Sequence, residues 1–322
     1  MNLNIIGTGS AVPSLVVNND ELGKFIDTNN DWIVSRTGIE QRRLCGQERI
    51  SDLAVLAAKR ALENAKTDAE DLDLIICSTV HGDYFSPSLA SIIQGGIGAN
   101  CVSYDINAAC SGFVYALDIA NTYYMAQRIK KVLIVSAEAI SKLLDWHDRA
   151  TCVLFGDGAG AVVLSEGNSL LGIRLRTEGQ INNLYISGLN SNNYFFNDGQ
   201  SNPFVRMNGK EIYKFAISAV KADVDFLINE IGISVNDIDY FILHQANKRI
   251  IEAVRTRLEQ PDEKFPTNIE RYGNTSSASI PILLDELNKS NMLTNKIIFL
   301  SAFGAGLTSG ACIFKWNQIQ TG

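Results

Sequence analysis

The second half of this chain restates the first. DLDLIICS begins at Asp71 and DIDYFILH at Asp237, an offset of 237 − 71 = 166. KKVLIVSAE and NKIIFLSAF align Lys131 with Lys296, an offset of 296 − 131 = 165. The same spacing carries Cys110 onto Asn274 (274 − 110 = 164), each at the head of an apolar, helix-length run, CSGFVYALDIA and NTSSASIPILLDEL. Three matches in register predict a duplicated unit with halves meeting near residues 165 to 175, and a symmetric cleft to which each half offers a helix start.

Short Val/Ile/Leu-rich runs alternate with longer stretches of helical period, which predicts an α/β chain with mostly buried sheets. Strands are expected at LNIIGTG, DLDLIICSTV, KKVLIVSAE and GAGAVVLSE, then at DIDYFILHQ, NKIIFLSAF and GACIFKW. Helices are expected at SDLAVLAAKRALENAK, with Ser51 as N-cap, at the Cys110 segment, and at EIYKFAISAVKADVDFLINEIG. No Pro-rich linker divides the chain, so residues 1–170, carrying Cys110, and 171–322, carrying His244 and Asn274, are read as two halves of one body. The polar stretch at 188–204 reads as a surface excursion whose aromatics cover a cleft.

With 322 residues and 46% hydrophobic composition, a full core needs no staples. The six cysteines (Cys45, Cys77, Cys101, Cys110, Cys152, Cys312) form no CxxC pair, and only His81, His147 and His244 could join them around a metal. We therefore expect no metal site and a reducing, cytoplasmic setting. No stretch of about 18 apolar residues suggests a membrane span. A net charge of −7 argues against nucleic acid as a main partner.

Four short motifs carry the chemistry. Cys110 opens a helix among small residues, where the helix dipole is expected to lower its pKa from about 8.5 and Ala108, Ala109, Ser111 and Gly112 leave room for a carbonyl. LHQANKRI ends a strand at His244, beside the amides Gln245 and Asn247. RYGNTSSASIP sets Asn274 at a helix cap, an arrangement that capping alone would also explain. SAFGAGLTSG places Gly304, Ala305 and Gly306 after a strand, without a phosphate-loop fingerprint, so a backbone N–H aimed at an oxyanion beside Cys110 is the better use. The set fits acyl transfer through a thioester, with His244 and Asn274 donating to one carbonyl and stabilising an enolate. A Cys/His/Asn peptidase uses the same residue types differently, and residue identity alone leaves both open.

Together these motifs resemble the β-ketoacyl-[acyl-carrier-protein] synthase III family, thiolase-fold enzymes that start fatty-acid synthesis. IIGTGSAVPS, DTNNDWIVSRTGI, DINAACSGF, FGDGAGAVVL, LHQANKRI, YGNTSSASIP and FGAGLTSG occur in the family's order and run nearly end to end. The resemblance implies a five-layered α-β-α-β-α fold and a homodimer. It implies condensation of an acyl-CoA primer with malonyl-[acyl-carrier protein], giving 3-oxoacyl-[acyl-carrier protein], CO2 and CoA without a cofactor. Cys110 would carry the acyl group, His244 and Asn274 would bind the malonyl carbonyl, and the N–H groups of Cys110 and Ala305 would form the oxyanion hole.

The same resemblance implies a coenzyme A entrance. Trp32 and Arg149 would sandwich the adenine, Arg36 and Arg249 would meet phosphates, Thr28 would lie beside them, and Asn247 and Gly209 would line the pantetheine tunnel. Phe155 would shape the primer pocket, and Ser86, before Pro87, would stand where relatives place a bulky residue closing the partner subunit's pocket. Basic residues between 206 and 257, with Lys214, Lys248, Arg249, Arg255 and Arg257 among them, would steer an acidic carrier protein. The chain departs from the family at Ala305, where a glycine is common, and at Ser309, where a Trp is usual. Alternatives of other kinds are a specialised condensing enzyme of secondary metabolism, a cysteine hydrolase and an inactive carrier-docking subunit.

Overall fold

The computed structural model describes residues 2–188 and 202–317. Most of the 188–204 excursion, with Tyr194, Phe195 and Phe196 of its expected aromatic cover, lies outside the described residues, while Phe204 lies within them.

Two sheets of matching order form the frame. The first comprises β1 (Asn2–Ala11), β2 (Leu74–Ser78), β3 (Val102–Ile106), β4 (Lys131–Glu138) and β5 (Gly158–Gly167), in the spatial order β1-β5-β4-β2-β3. The second comprises β6 (Leu170–Gln180), β7 (Tyr240–Leu243), β8 (Ile297–Gly304) and β9 (Gly306–Lys315), in the order β6-β9-β8-β7. Each sheet pairs antiparallel twice and then parallel, as β1-β5-β4-β2 and β6-β9-β8-β7. The chain passes from the first sheet to the second between Gly167 and Leu170.

Helices make the other three layers. The outer face of the first sheet is covered by α2 (Ile50–Ala65), which follows α1 (Asn30–Thr37) along the chain, through Ala54, Ala57, Ala58 and Ala61 packed on Ile75 and Val135. Alanines at this spacing put no bulk on the contact face, so the helix lies directly on β1. A Cβ added at Gly9 would stand 2.3 Å from the Ala57 carbonyl oxygen, so only glycine fits there. Between the sheets lie α3 (Gly112–Met125) and α6 (Ser279–Lys289), whose Phe113, Leu117, Leu283 and Leu284 share one core with Ile76, Ile134, Ile242 and Leu300. The second sheet's outer face is covered by α4 (Gly209–Ile231) and α5 (Lys248–Leu258), through Val220, Val224, Ile251 and Val254 against Phe241 and Phe299. This is the expected five-layered fold.

Two local expectations are corrected. Ser51 does not cap α2: the cap is Arg49, whose N–H is met by the Asp52 carboxylate at 3.1 Å, while Ser51 N–H donates to Asp83 at 2.9 Å. The counterpart of Cys110 is also not Asn274. A 3-10 turn, Ala109–Ser111, precedes α3 and a second, Ser276–Ala278, precedes α6, and the two helices start 279 − 112 = 167 residues apart. That register pairs Cys110 with Ser277, and it pairs Ala109 with Ser276, whose backbones share the left-handed region at φ 47° and 51°.

Candidate active site

The two central turns meet at one cavity of about 220 Å³. Cys110, His244, Asn274, Phe155, Gly209, Asn247 and Ala305 all line it. The three residues singled out as chemical thus converge from α3's entry turn, the end of β7 and the segment before the Ser276 turn.

Cys110 is 8% exposed, and its Sγ accepts a hydrogen bond from Ser276 Oγ at 3.4 Å. Burial pushes the thiol up to about 12, the Ser276 hydroxyl draws it down, and the buried Glu138 carboxylate pushes it up again. The expected depression by the helix start is therefore overturned: desolvation of the thiolate outweighs the dipole. Gly304 packs against Cys110 so closely that an added Cβ would lie 2.8 Å from Cys110 N. Ala305, the departure from a run of glycines, is not among the residues of positive φ, so its methyl group carries no backbone strain.

His244 is 2% exposed, with its ring edge-to-face on Phe303 at 5.3 Å between centroids. Burial drives its pKa down to about 3, so the imidazole is neutral. Ser279 Oγ accepts from Gln245 N–H at 3.3 Å and lies 2.7 Å from His244 Nδ1, with its own hydrogen free to point at Nδ1. When Ser279 donates there, Nδ1 is the acceptor and Nε2 carries the hydrogen. Gln245 serves the scaffold, bonding the Leu243 carbonyl at 2.7 Å and accepting from Asn268 N–H at 3.2 Å.

Asn274 is held by its backbone, donating N–H to Leu154 O at 2.8 Å and accepting from Gly156 N–H at 3.0 Å. Its Oδ1 accepts from Ser276 N–H at 2.8 Å. A backbone N–H can only donate, so the amide oxygen is fixed on that side and the NH2 group is left to the other. The site therefore offers two neutral hydrogen-bond donors and a buried thiol.

Toward the surface, Tyr213 lines both this cavity and an open depression bordered by Lys248, Arg249, Glu252 and Arg257. Asn247 caps α5, its side chain accepting from Arg249 N–H at 2.9 Å. Trp32, on α1, is flanked by Arg149 and Arg36, whose guanidinium carbons lie 4.6 and 4.9 Å from its ring centroid. Arg149 also donates to the Asp27 carbonyl at 2.6 Å, and the Thr28 hydroxyl is buried without a hydrogen-bond partner. Lys214 is ion-paired with Glu211 at 2.8 Å, and Arg255 with Glu252 at 2.9 Å. Ser86 is exposed and does not line the cavity of its own chain.

Ser276, Ser279 and Glu138 escaped the sequence reading. The only signals for them were the serine-rich run after Asn274 and a single charge ending the apolar strand KVLIVSAE. Among the described residues there is no group of three or more His, Cys, Asp or Glu that could hold a metal ion, and no helix is long and apolar enough to cross a membrane.

Residues 104–179 match the family described as 3-oxoacyl-[acyl-carrier-protein (ACP)] synthase III, and residues 228–316 match its C-terminal region. The chain is 43% identical to the β-ketoacyl-[acyl-carrier-protein] synthase III of Clostridium acetobutylicum, covering 98% of this chain and 99% of that one. Among solved structures, the synthase III of Aquifex aeolicus VF5 superposes with a TM-score of 0.92 at 39% identity, covering 98% of this chain and 100% of that one. The priming β-ketosynthase of the R1128 polyketide pathway does so with 0.92 at 32% identity, covering 98% and 96%. With its motifs, its duplicated five-layered fold and these full-length likenesses in agreement, the chain belongs to the β-ketoacyl-[acyl-carrier-protein] synthase III family of condensing enzymes.

Proposed function

We propose that this chain condenses an acyl-CoA primer with malonyl-[acyl-carrier protein], releasing CO2 and CoA and giving the 3-oxoacyl-[acyl-carrier protein] that begins a fatty acid. The observation that carries the reading is that a buried thiol and two neutral donors, Cys110, His244 and Asn274, border one cavity. Cys110 attacks the primer thioester, CoA leaves, and an acyl-enzyme forms. The malonyl thioester then places its carbonyl against His244 Nε2–H and the Asn274 NH2 group. Both donors are strongest for the enolate that forms as CO2 departs, so they favour that transition state over the bound ground state. The enolate carbon attacks the acyl group on Cys110, with the N–H groups of Cys110 and Ala305 donating to the oxyanion. No cofactor is required, because the thioesters supply the reactive groups.

The primer enters past Trp32, Arg36, Arg149, Arg249 and Thr28 and runs along Asn247 and Gly209, with Phe155 shaping its acyl end. Lys248, Arg249 and Arg257 around the open depression, with Lys214 and Arg255 nearby, suit an acidic carrier protein. We read the enzyme as a cytoplasmic homodimer in which Ser86 borders the other subunit's acyl pocket, and its small side chain leaves room for a longer or branched primer.

The likeness to a polyketide priming synthase supports a second reading, a specialised condensing enzyme using another donor or acceptor. Intact-protein mass after incubation with a panel of acyl-CoAs, followed by malonyl-[acyl-carrier protein], separates the two. The fatty-acid reading expects a Cys110 adduct that disappears as 3-oxoacyl product and CO2 form. An adduct that malonyl-[acyl-carrier protein] does not discharge favours the specialised enzyme.

A further inference from the structure

A nucleophilic thiol must lose its proton, and the residue usually available for that role is occupied here. His244 Nδ1 is engaged by Ser279 Oγ at 2.7 Å, and the donor role proposed above for His244 keeps a hydrogen on its other nitrogen. The cavity holds a different route. Ser276 Oγ lies 3.4 Å from Cys110 Sγ and 3.1 Å from Glu138 Oε1, and one hydroxyl hydrogen can serve only one of them at a time. Ser276 is held in the left-handed region at φ 51°, a strained setting that aims its side chain at the sulfur.

Glu138, at the end of β4, is 0% exposed. It accepts from Val80 N–H at 3.0 Å and Ser277 Oγ at 2.7 Å as well as from Ser276, and no Lys, Arg or His among the described residues forms an ion pair with it. The titratable groups facing it are Cys110 across Ser276 and Cys77 on the neighbouring strand β2. Asp157, beside β5, is turned away onto Ser141 and Cys45 N–H, and Asp105, on β3, onto the N–H groups of Leu89 and Ala90. A carboxylate buried without a cation is costly, and the carboxyl that results is a natural proton store. Burial raises its pKa to about 7, where a carboxyl can both take up and return a proton.

Building on the condensing reading, we infer that Ser276 and Glu138 form a proton relay for Cys110, taking its proton when the primer is loaded and returning it when the product leaves. As Cys110 Sγ bonds to the acyl carbon, its proton passes to Ser276 Oγ while the Ser276 proton passes to Glu138. CoA departs as thiolate and is protonated by solvent. Glu138 keeps the proton through the acyl-enzyme stage. When the enolate carbon attacks, the sulfur–carbon bond breaks, and the departing thiolate regains that proton along the same path. The proton taken from solvent by CoA is the one the overall decarboxylative condensation consumes. Ser276 touches the reacting atom; Glu138 acts through it.

The test is the rate of Cys110 alkylation by iodoacetamide in the full-length protein, wild type against Glu138→Gln and Ser276→Ala. A relay gives at least a tenfold loss in both variants at about pH 8. A purely electrostatic Glu138 gives the opposite sign: removing a negative charge that pushes the thiol up speeds alkylation. Faster or unchanged alkylation in Glu138→Gln overturns the relay. Should that variant fail to fold, Ser276→Ala and the wild-type pH profile decide. The profile should rise through about pH 7 and level well below the thiol's own value. A profile rising only above about pH 9 overturns the relay. If wild type forms no acyl-enzyme with any acyl-CoA yet alkylates with the relay profile, the condensing reading fails and the relay stands.

Discussion

His244 Nδ1 and Ser279 Oγ stand 2.7 Å apart in a fully buried setting, joining the end of β7 to the first residue of α6. With Ser279 as the donor in this bond, the imidazole is a donor at Nε2. Replacing Ser279 by Ala leaves Nδ1 without its partner and lets the other tautomer compete. We expect kcat to fall about tenfold, the equivalent of one lost hydrogen bond, with little change in KM for either thioester. Unchanged kcat would show that the ring is oriented by packing on Phe303 alone.

If His244 and Asn274 donate to the malonyl carbonyl as proposed, His244→Ala and Asn274→Ala each remove one donor while leaving the thiol in place. Each should slow malonyl decarboxylation by a factor of about 10² to 10³. Acylation of Cys110, read by intact mass, should continue in both. Equal loss of the two half-reactions would mean that the pair serves loading as well.

Gly304 is confined by Cys110 itself, since an added Cβ would lie 2.8 Å from Cys110 N and 3.1 Å from Cys110 Cβ. Gly304→Ala should therefore displace Cys110. We expect acylation to fall at least a hundredfold, with a stability loss of about 1–3 kcal/mol by denaturant unfolding. Near-normal acylation would place the oxyanion donors elsewhere.

Trp32 is bracketed by two guanidinium groups, at 4.6 and 4.9 Å. If an adenine enters this stack, Trp32→Ala should raise KM for acyl-CoA about tenfold and leave kcat and malonyl use alone. A primer carried on pantetheine without the nucleotide should be insensitive to the change.

The sequence disclosed the duplicated frame because strands and helices announce themselves through apolar periodicity, and both halves repeat it at nearly constant spacing. The motif spacing misplaced the partner of Cys110 by three residues, since a left-handed backbone such as that of Ser276 leaves no mark on apolar periodicity. Cys110, His244 and Asn274 stood out through residue type and local setting. The direction of the thiol's pKa did not, because it is set by burial beside Gly304 and by the charge of Glu138, which are distant in sequence. Ser279 and Glu138 were illegible for the same reason. A serine in a helix and a glutamate at a strand end carry no chemical label until the fold brings them to His244 and Cys110.

Glu138 and His244 also leave opposite marks on the pH dependence of stability. Burial raises the Glu138 carboxyl from 4.5 to about 7, so the folded chain holds a proton that the unfolded chain has released. That contribution is complete below pH 4.5 and is lost as the pH rises through about 7. His244 is lowered from 6.5 to about 3, so the unfolded chain binds a proton that the folded chain does not. Its contribution is complete above pH 6.5 and is lost as the pH falls toward 3. In the overlap the two slopes cancel. Glu138→Gln removes one of them, so wild type should lose stability relative to the variant by about 3 kcal/mol between pH 4.5 and 7, from 1.36 kcal/mol per pKa unit. Urea unfolding of both proteins across that range measures the difference. Parallel curves would mean that Glu138 keeps an ordinary carboxylate pKa in the fold, and with it would go the reason for treating this residue as a proton store.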